Sequence, residues 1–171
     1  MEKGYIHVYT GNGKGKTTAS LGLALRSVCA GNKVFVGQFV KNMKYNEARA
    51  GNYLPNFKIE QFGEGCFFDR KPVQKDIEAA KRGLKKIEEI LKKGEYDLVI
   101  MDEINIATHY NLLSPDRVLQ VIKQRKENVE VVLTGRYASD LIIREANLVT
   151  EMKEIKHYYT QGVKARDGIE R

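Results

Sequence analysis

Ile6-His7-Val8-Tyr9-Thr10-Gly11-Asn12-Gly13-Lys14-Gly15-Lys16-Thr17-Thr18 is the stretch on which the fold turns. An apolar run long enough for one buried strand feeds a loop with glycine at 11, 13 and 15, and Lys16, two threonines and a helix-forming segment follow at once. Strand, glycine-rich loop and helix in that order make a phosphate-binding loop. Glycine lets the backbone pass through positive φ and bring its N–H groups close to phosphate oxygens. The helix that opens near Lys16 aims its positive dipole end and unpaired N–H groups at the same spot. Lys16 adds a full charge for the phosphates, and Thr17 a hydroxyl for a magnesium ion. The loop is a variant: where Gly-x-x-x-x-Gly-Lys-[Ser/Thr] begins with glycine, this chain has Thr10.

Outward from the loop, the chain alternates helix and strand. Residues 16–30 read as a helix with Leu21, Ala24, Leu25 and Val28 on one face and a left-handed stop at Gly31-Asn32. Residues 33–40 form a second strand, followed by a polar, irregular stretch at 43–56 that is a candidate mobile segment over the site. Residues 57–62 alternate as a half-buried third strand and lead into the loop 63–70. Residues 72–93 are the clearest helix, with Val73, Ile77, Ala80, Leu84, Ile87 and Leu91 on the apolar stripe and Gly94 as the stop. The apolar run 96–102 reads as a strand buried on both faces, ending in Asp102-Glu103. Ser114-Pro115 opens a helix to about residue 126. Residues 129–133 form a fifth strand ending in Thr134-Gly135-Arg136, a short helix covers 139–146, and 148–152 makes a last strand.

This alternation implies an α/β class, a three-layer P-loop NTPase (RecA-like) fold with a mostly parallel sheet of about six strands. With no internal repeat or linker, 1–171 is expected to be a single domain. Apolar content of 42% and charged content of 30% are ordinary for a soluble protein. No run reaches a bilayer-spanning length and no signal peptide precedes the first strand, so the expected location is cytoplasmic, away from the membrane. Cys29 and Cys66 make no disulfide framework; Cys29 reads as a small core residue, Cys66 as structural or in contact with ligand. His7, His109 and His157 are too scattered for a zinc site. The net charge of +7 suits a polyanionic ligand, although the densest basic group, at 81–93, lies on a helix face that also carries Glu78, Glu88 and Glu89.

In such sheets ligands bind beyond the carboxyl ends of the strands. That rule gathers 11–18, Lys41-Asn42, 63–70, Asp102-Glu103 and 134–136 into one crevice. Asp102 and Glu103 resemble a Walker B pair, holding magnesium directly or through water opposite Thr17, or else capping the next helix. Glu103 can also serve as a general base in ATP hydrolysis. Arg136 is placed to neutralise phosphate or is a plain surface residue. Phe67 and Phe68 are either tucked into the core or form a flat apolar wall.

Tyr9-Thr10-Gly11-Asn12-Gly13-Lys14-Gly15-Lys16-Thr17-Thr18, then Gln38-Phe39-Val40-Lys41, Met101-Asp102-Glu103, Leu133-Thr134-Gly135-Arg136, Lys156-His157, Gly162-Val163-Lys164-Ala165 and Gly168-Ile169 together resemble the P-loop type of ATP:corrinoid (cob(I)alamin) adenosyltransferase, from end to end. The resemblance implies transfer of the 5′-deoxyadenosyl group of ATP to the cobalt of a reduced Co(I) corrinoid such as cobalamin, with triphosphate as leaving group and ATP reversed along the loop. It implies Mg²⁺ or Mn²⁺ held by Thr17, Asp102 and Glu103. Nucleotide contacts are expected from Gly11, Asn12, Gly13, Lys14, Gly15, Lys16, Thr17, Thr18, Lys41 and Arg136, and catalytic roles for Lys16, Glu103, Phe67 and Phe68. Phe67 and Phe68 occupy the region where the family presents aromatics to the corrin; a tryptophan is common there and this chain has none. Family members commonly carry an N-terminal arm over the corrinoid pocket, whereas only three residues precede Gly4 here, so closure is expected from 43–56 or the tail, or else the corrinoid is held more openly. A homodimer and an electron donor such as a flavoprotein follow by analogy. Two other classes are set beside this reading: a RecA-like ATPase or kinase, and a nucleic-acid-binding module, which the thin spread of basic residues disfavours.

Overall fold

The computed structural model describes residues 2–41, 43, 45–64 and 71–171. Six strands, β1 (Ile6–Thr10), β2 (Val34–Phe39), β3 (Phe57–Phe62), β4 (Leu98–Asp102), β5 (Glu130–Thr134) and β6 (Leu148–Glu151), form one sheet in the order β3-β2-β4-β5-β1-β6. Every pairing is parallel. The helices are α1 (Lys16–Cys29), α2 (Gln74–Lys93), α3 (Ile104–His109), α4 (Pro115–Lys123) and α5 (Asp140–Glu145).

The central strands β2 and β4 are buried along their whole length, as continuous apolar runs between two helical layers must be. On one face Phe35, Val99, Met101, Val131 and Leu133 pack with Ala80, Leu84, Ile87 and Leu91 of α2 and with Val118 and Ile122 of α4. On the other face Val36, Ile100 and Val132 pack with Ala24 and Val28 of α1. This is the expected three-layer α/β arrangement, with the sheet wholly rather than mostly parallel. Among the described residues no helix is long and apolar enough to cross a membrane.

Local chemistry sets the helix ends. Ser114 accepts from Arg117 N at 3.2 Å with Pro115 in the first turn, and Asp76 turns back to accept from Val73 N at 2.8 Å. Gly94 ends α2 at φ 67.

Five expectations change. Val73 precedes α2 as its extended N-cap and is half exposed, so it does not belong to the apolar stripe. Leu25 is 48% exposed, because the apolar stripe of α1 is narrow and runs through Ser20, Ala24 and Val28. Cys29 is exposed, one step past that stripe. The stretch 43–56 is not wholly irregular: Asn46–Asn52 is a short 3-10 helix against β3. A helix the sequence reading omitted, α3, begins directly after Glu103, which sits in the left-handed region at φ 59.

Candidate active site

The phosphate loop is shaped by two left-handed glycines and one close approach. Gly11 has φ 94 and Gly15 φ 119. Gly13 does not take positive φ; it is needed because a Cβ there would meet Met152 O at 2.7 Å, where Gly13 N donates to that carbonyl at 2.6 Å. The loop glycines thus have two different reasons, positive φ at Gly11 and Gly15 and a close backbone approach at Gly13. Buried Lys16 reaches back to donate to Gly13 O at 2.6 Å.

Beside the loop, the parallel register aligns polar side chains across the carboxyl edge of the sheet. Gln38 of β2 pairs in register with Gln61 of β3 and with Asp102 of β4. Gln61 donates to Gln38 Oε1 at 3.0 Å, and Gln38 Nε2 donates to Asp102 Oδ2 at 3.1 Å and to Glu47 at 3.2 Å. Asp102 also accepts from Lys41 at 2.9 Å, from Thr17 at 2.7 Å and from Thr134 at 2.6 Å. Its carboxylate is fully buried and its four acceptor directions are all used. Burial pulls this carboxyl upward, but the Lys41 ammonium and the bonds from Thr134, Lys41 and Thr17 outweigh it and hold Asp102 below the usual carboxylate range.

Lys41 reaches Asp102 from a strained turn. Val40, β-branched and buried, sits at φ 67. Gly63 backs onto that turn: a Cβ there would lie 2.4 Å from Val40 C and 2.5 Å from Lys41 N.

Glu103 behaves differently from its neighbour. Its backbone N–H donates to Thr134 Oγ1 at 3.0 Å, while its carboxylate makes no hydrogen bond or ion pair with the described residues. Burial, and then the charge of Asp102, push its carboxyl above the usual range. Burial and then the Arg136 guanidinium lower the Lys16 ammonium. Gly135 (φ 127) leaves room for this carboxylate, since a Cβ there would lie 3.2 Å from Glu103 Oε2.

A cavity of about 600 Å³ opens over these groups, with Gly13–Thr18, Lys41, Glu103 and Arg136 in its wall. Gly11 and Asn12 are not part of that wall; Gly11 turns toward Met152. Asp102 lies behind it, reaching the cavity through Thr17. Phe67 and Phe68 lie outside the described residues, as do Asn42 and Cys66. Gln38 and Thr134 carry no sequence signal for a role here, since periodicity does not reveal that neighbouring strands align them on Asp102. The tail also forms part of the wall, through His157, Gly168, Ile169, Glu170 and Arg171. It carries no periodic signal, and only its closing motif hinted at a place here.

The donor set suits a hard divalent ion. Thr17 commits its proton to Asp102 and keeps its oxygen lone pairs, and Glu103 offers an unpartnered carboxylate to the same cavity.

Comparison with known proteins agrees with this architecture. Residues 2–171 match the family described as ATP:corrinoid adenosyltransferase BtuR/CobO/CobP. Proteins named corrinoid adenosyltransferase are similar along nearly the full chain: one from Sinorhizobium sp. is 36% identical over 99% of this chain and 81% of its own length. One from Pseudomonas aeruginosa is 36% identical over 99% and 84%, and one from Escherichia coli strain K12 is 34% identical over 99% and 86%. With a strand-loop-helix phosphate site, a buried aspartate behind its threonine and a family match spanning the described fold, the chain belongs to the ATP:corrinoid adenosyltransferase BtuR/CobO/CobP family.

Proposed function

We propose that this protein is a transferase that moves the 5′-deoxyadenosyl group of ATP onto the cobalt of a reduced corrinoid and releases triphosphate. The observation that carries the reading is the Lys16, Thr17, Asp102 and Glu103 constellation at the foot of the cavity, in a chain of this family. The Co(I) substrate supplies the electron pair that forms the cobalt–carbon bond, and the C5′–O bond breaks with its electrons passing to the triphosphate. The protein therefore has to align two reactants and stabilise charge on the leaving group.

Gly13–Thr18 receive the phosphates, and Lys16 and Arg136 balance their charge. Thr17 and Glu103 hold Mg²⁺ or Mn²⁺, which when bound supplies further positive charge to the triphosphate. Asp102 acts through Thr17, fixing the direction of its hydroxyl. Lys41 neutralises Asp102 and borders the nucleotide. Phe67 and Phe68 are assigned to the corrin side. The reading takes 1–171 as one domain, working in the cytoplasm as a homodimer with an electron donor such as a flavoprotein.

The test is an anaerobic assay with ATP, Mg²⁺ and chemically reduced cobalamin, following the visible spectrum for adenosylcobalamin and the solution for triphosphate. Both are expected in equal amounts. Unchanged cobalamin with accumulating ADP and phosphate would instead make the protein a P-loop hydrolase or kinase.

A further inference from the structure

The tail returns to the phosphate loop at Lys14, through the Glu170 carboxylate and the Tyr158 hydroxyl. Glu170 accepts from Lys14 Nζ at 2.6 Å, from the Tyr158 hydroxyl, and from Arg166 through its backbone N–H at 2.8 Å and its guanidinium at 3.1 Å. Lys14 Nζ donates to the Tyr158 hydroxyl as well, at 2.9 Å. On the far side of the cavity Asn46 Nδ2 donates to Asp167 at 2.8 Å and to the Arg171 carbonyl at 2.9 Å. Residues 168–171 thus span the cavity mouth, from the phosphate loop to the 3-10 helix Asn46–Asn52.

An anion seated on a phosphate-loop lysine sits where a phosphate would otherwise draw that lysine. We propose that Glu170 is an internal stand-in for substrate phosphate: it holds Lys14, and with it the tail, across the cavity, and the phosphates of ATP take Lys14 over, releasing residues 158–171. This rests on the reading of the cavity as the ATP site. Glu170 is then a positioning residue that makes nucleotide entry and tail opening one event. Its carboxylate opposes the polyanion twice, by occupying Lys14 and by like-charge repulsion at the mouth. Lys14 is exposed, and Glu170, whose side chain is only 15% exposed, keeps Arg166 and Tyr158 as partners when Lys14 leaves, so the exchange strands no unpaired charge and is reversible.

The experiment compares full-length wild type, Glu170→Gln and Glu170→Asp in two readouts. One is equilibrium binding of radiolabelled ATP with Mg²⁺; the other is the rate of tryptic cleavage after Lys164 and Arg166, followed by mass, with and without ATP. Glu170→Gln is expected to bind ATP roughly two- to fivefold tighter, the range a solvent-accessible ion pair at a cavity mouth is worth. Glu170→Asp, which keeps the charge, stays close to wild type. ATP accelerates tail cleavage in the wild type, whereas Glu170→Gln is cleaved fast with or without it. Unchanged or weaker ATP binding by Glu170→Gln, or an ATP-protected tail in the wild type, overturns the stand-in while leaving the ATP site intact. Wild type that binds no ATP overturns both readings.

Discussion

Glu103 is held at a cost that its own side chain makes visible. It is a carboxylate placed next to a second, fully buried one, and unlike Asp102 it makes no hydrogen bond or ion pair with the described residues. Its carboxyl lies above the ordinary value of 4.5 in the folded protein, from burial first and Asp102 second. A raised folded value means that the folded state binds the proton more tightly than the unfolded chain. Glu103 therefore does not weaken the fold below the ordinary value, and stability is lost as pH climbs from there through the raised value. Asp102 runs the opposite way: its folded value lies below 3.8, so its contribution is present above that point and is lost as pH falls further. Glu103→Gln is expected to stabilise the protein by roughly 0.5–2 kcal/mol at neutral pH, as removal of a strained site group commonly does, while adenosyl transfer falls sharply. Urea unfolding of both proteins at pH 4 and pH 7.5 checks this. The gain should appear at the higher pH and shrink at the lower; a gain of equal size at both would show that charge is not its cause.

At the scale of elements, α2 is seated on β2 and β3 by two missing side chains. The Phe62 ring lies in a notch between Gly37 and Gly83, edge-on to Phe39 at 5.5 Å between centroids. A Cβ at Gly83 would meet Phe62 Cγ at 2.5 Å and Cβ at 2.6 Å. Helix propensity alone would make Gly83→Ala stabilising by about 1 kcal/mol. Overpacking against the ring decides the sign, so a net destabilisation of roughly 1–3 kcal/mol is expected in chemical denaturation, with α2 lifted from β3. That notch also shows what sequence could and could not say. The stripe on α2 from Ile77 to Leu91 was readable from its period, though not its start at Val73, and the strand-loop-helix from its glycines, because both are local patterns. That Lys16, Thr17, Asp102, Glu103 and Arg136 lie near one another was readable because each stands at a strand's carboxyl end or just beyond the loop that follows it. The row Gln61, Gln38, Asp102, Thr134 was not, since it exists only once β3, β2, β4 and β5 are side by side in register. Helix α3 was missed because it is six residues long and starts from a left-handed glutamate with no side-chain cap.

At the scale of the whole molecule, the question is which part of the +7 charge acts on a polyanionic substrate. Lys14, Lys16, Lys41, Arg136 and Arg171 face the cavity, against Glu47, Glu103 and Glu170. Among these cations Lys14 is tied to Glu170 and Lys41 to Asp102, whereas Arg136 is exposed and makes no ion pair among the described residues. A second basic group, Lys81 and Lys85, borders a separate cleft of about 720 Å³ between α2 and the start of α4, which shares no residue with the first. Screening has a range of about 8 Å at physiological ionic strength, so a charge in the cavity wall acts on ATP directly while one in another cleft does not. The apparent KM for ATP is therefore expected to rise with salt in the wild type. Arg136→Gln should raise KM at low salt and flatten its salt dependence, because the charge that salt would screen is gone. The double variant Lys81→Gln/Lys85→Gln removes more charge from the molecule and should reproduce the wild-type salt curve. If that double variant flattened the curve as much as Arg136→Gln does, substrate attraction would belong to net charge, and Arg136 would have no special place in the site.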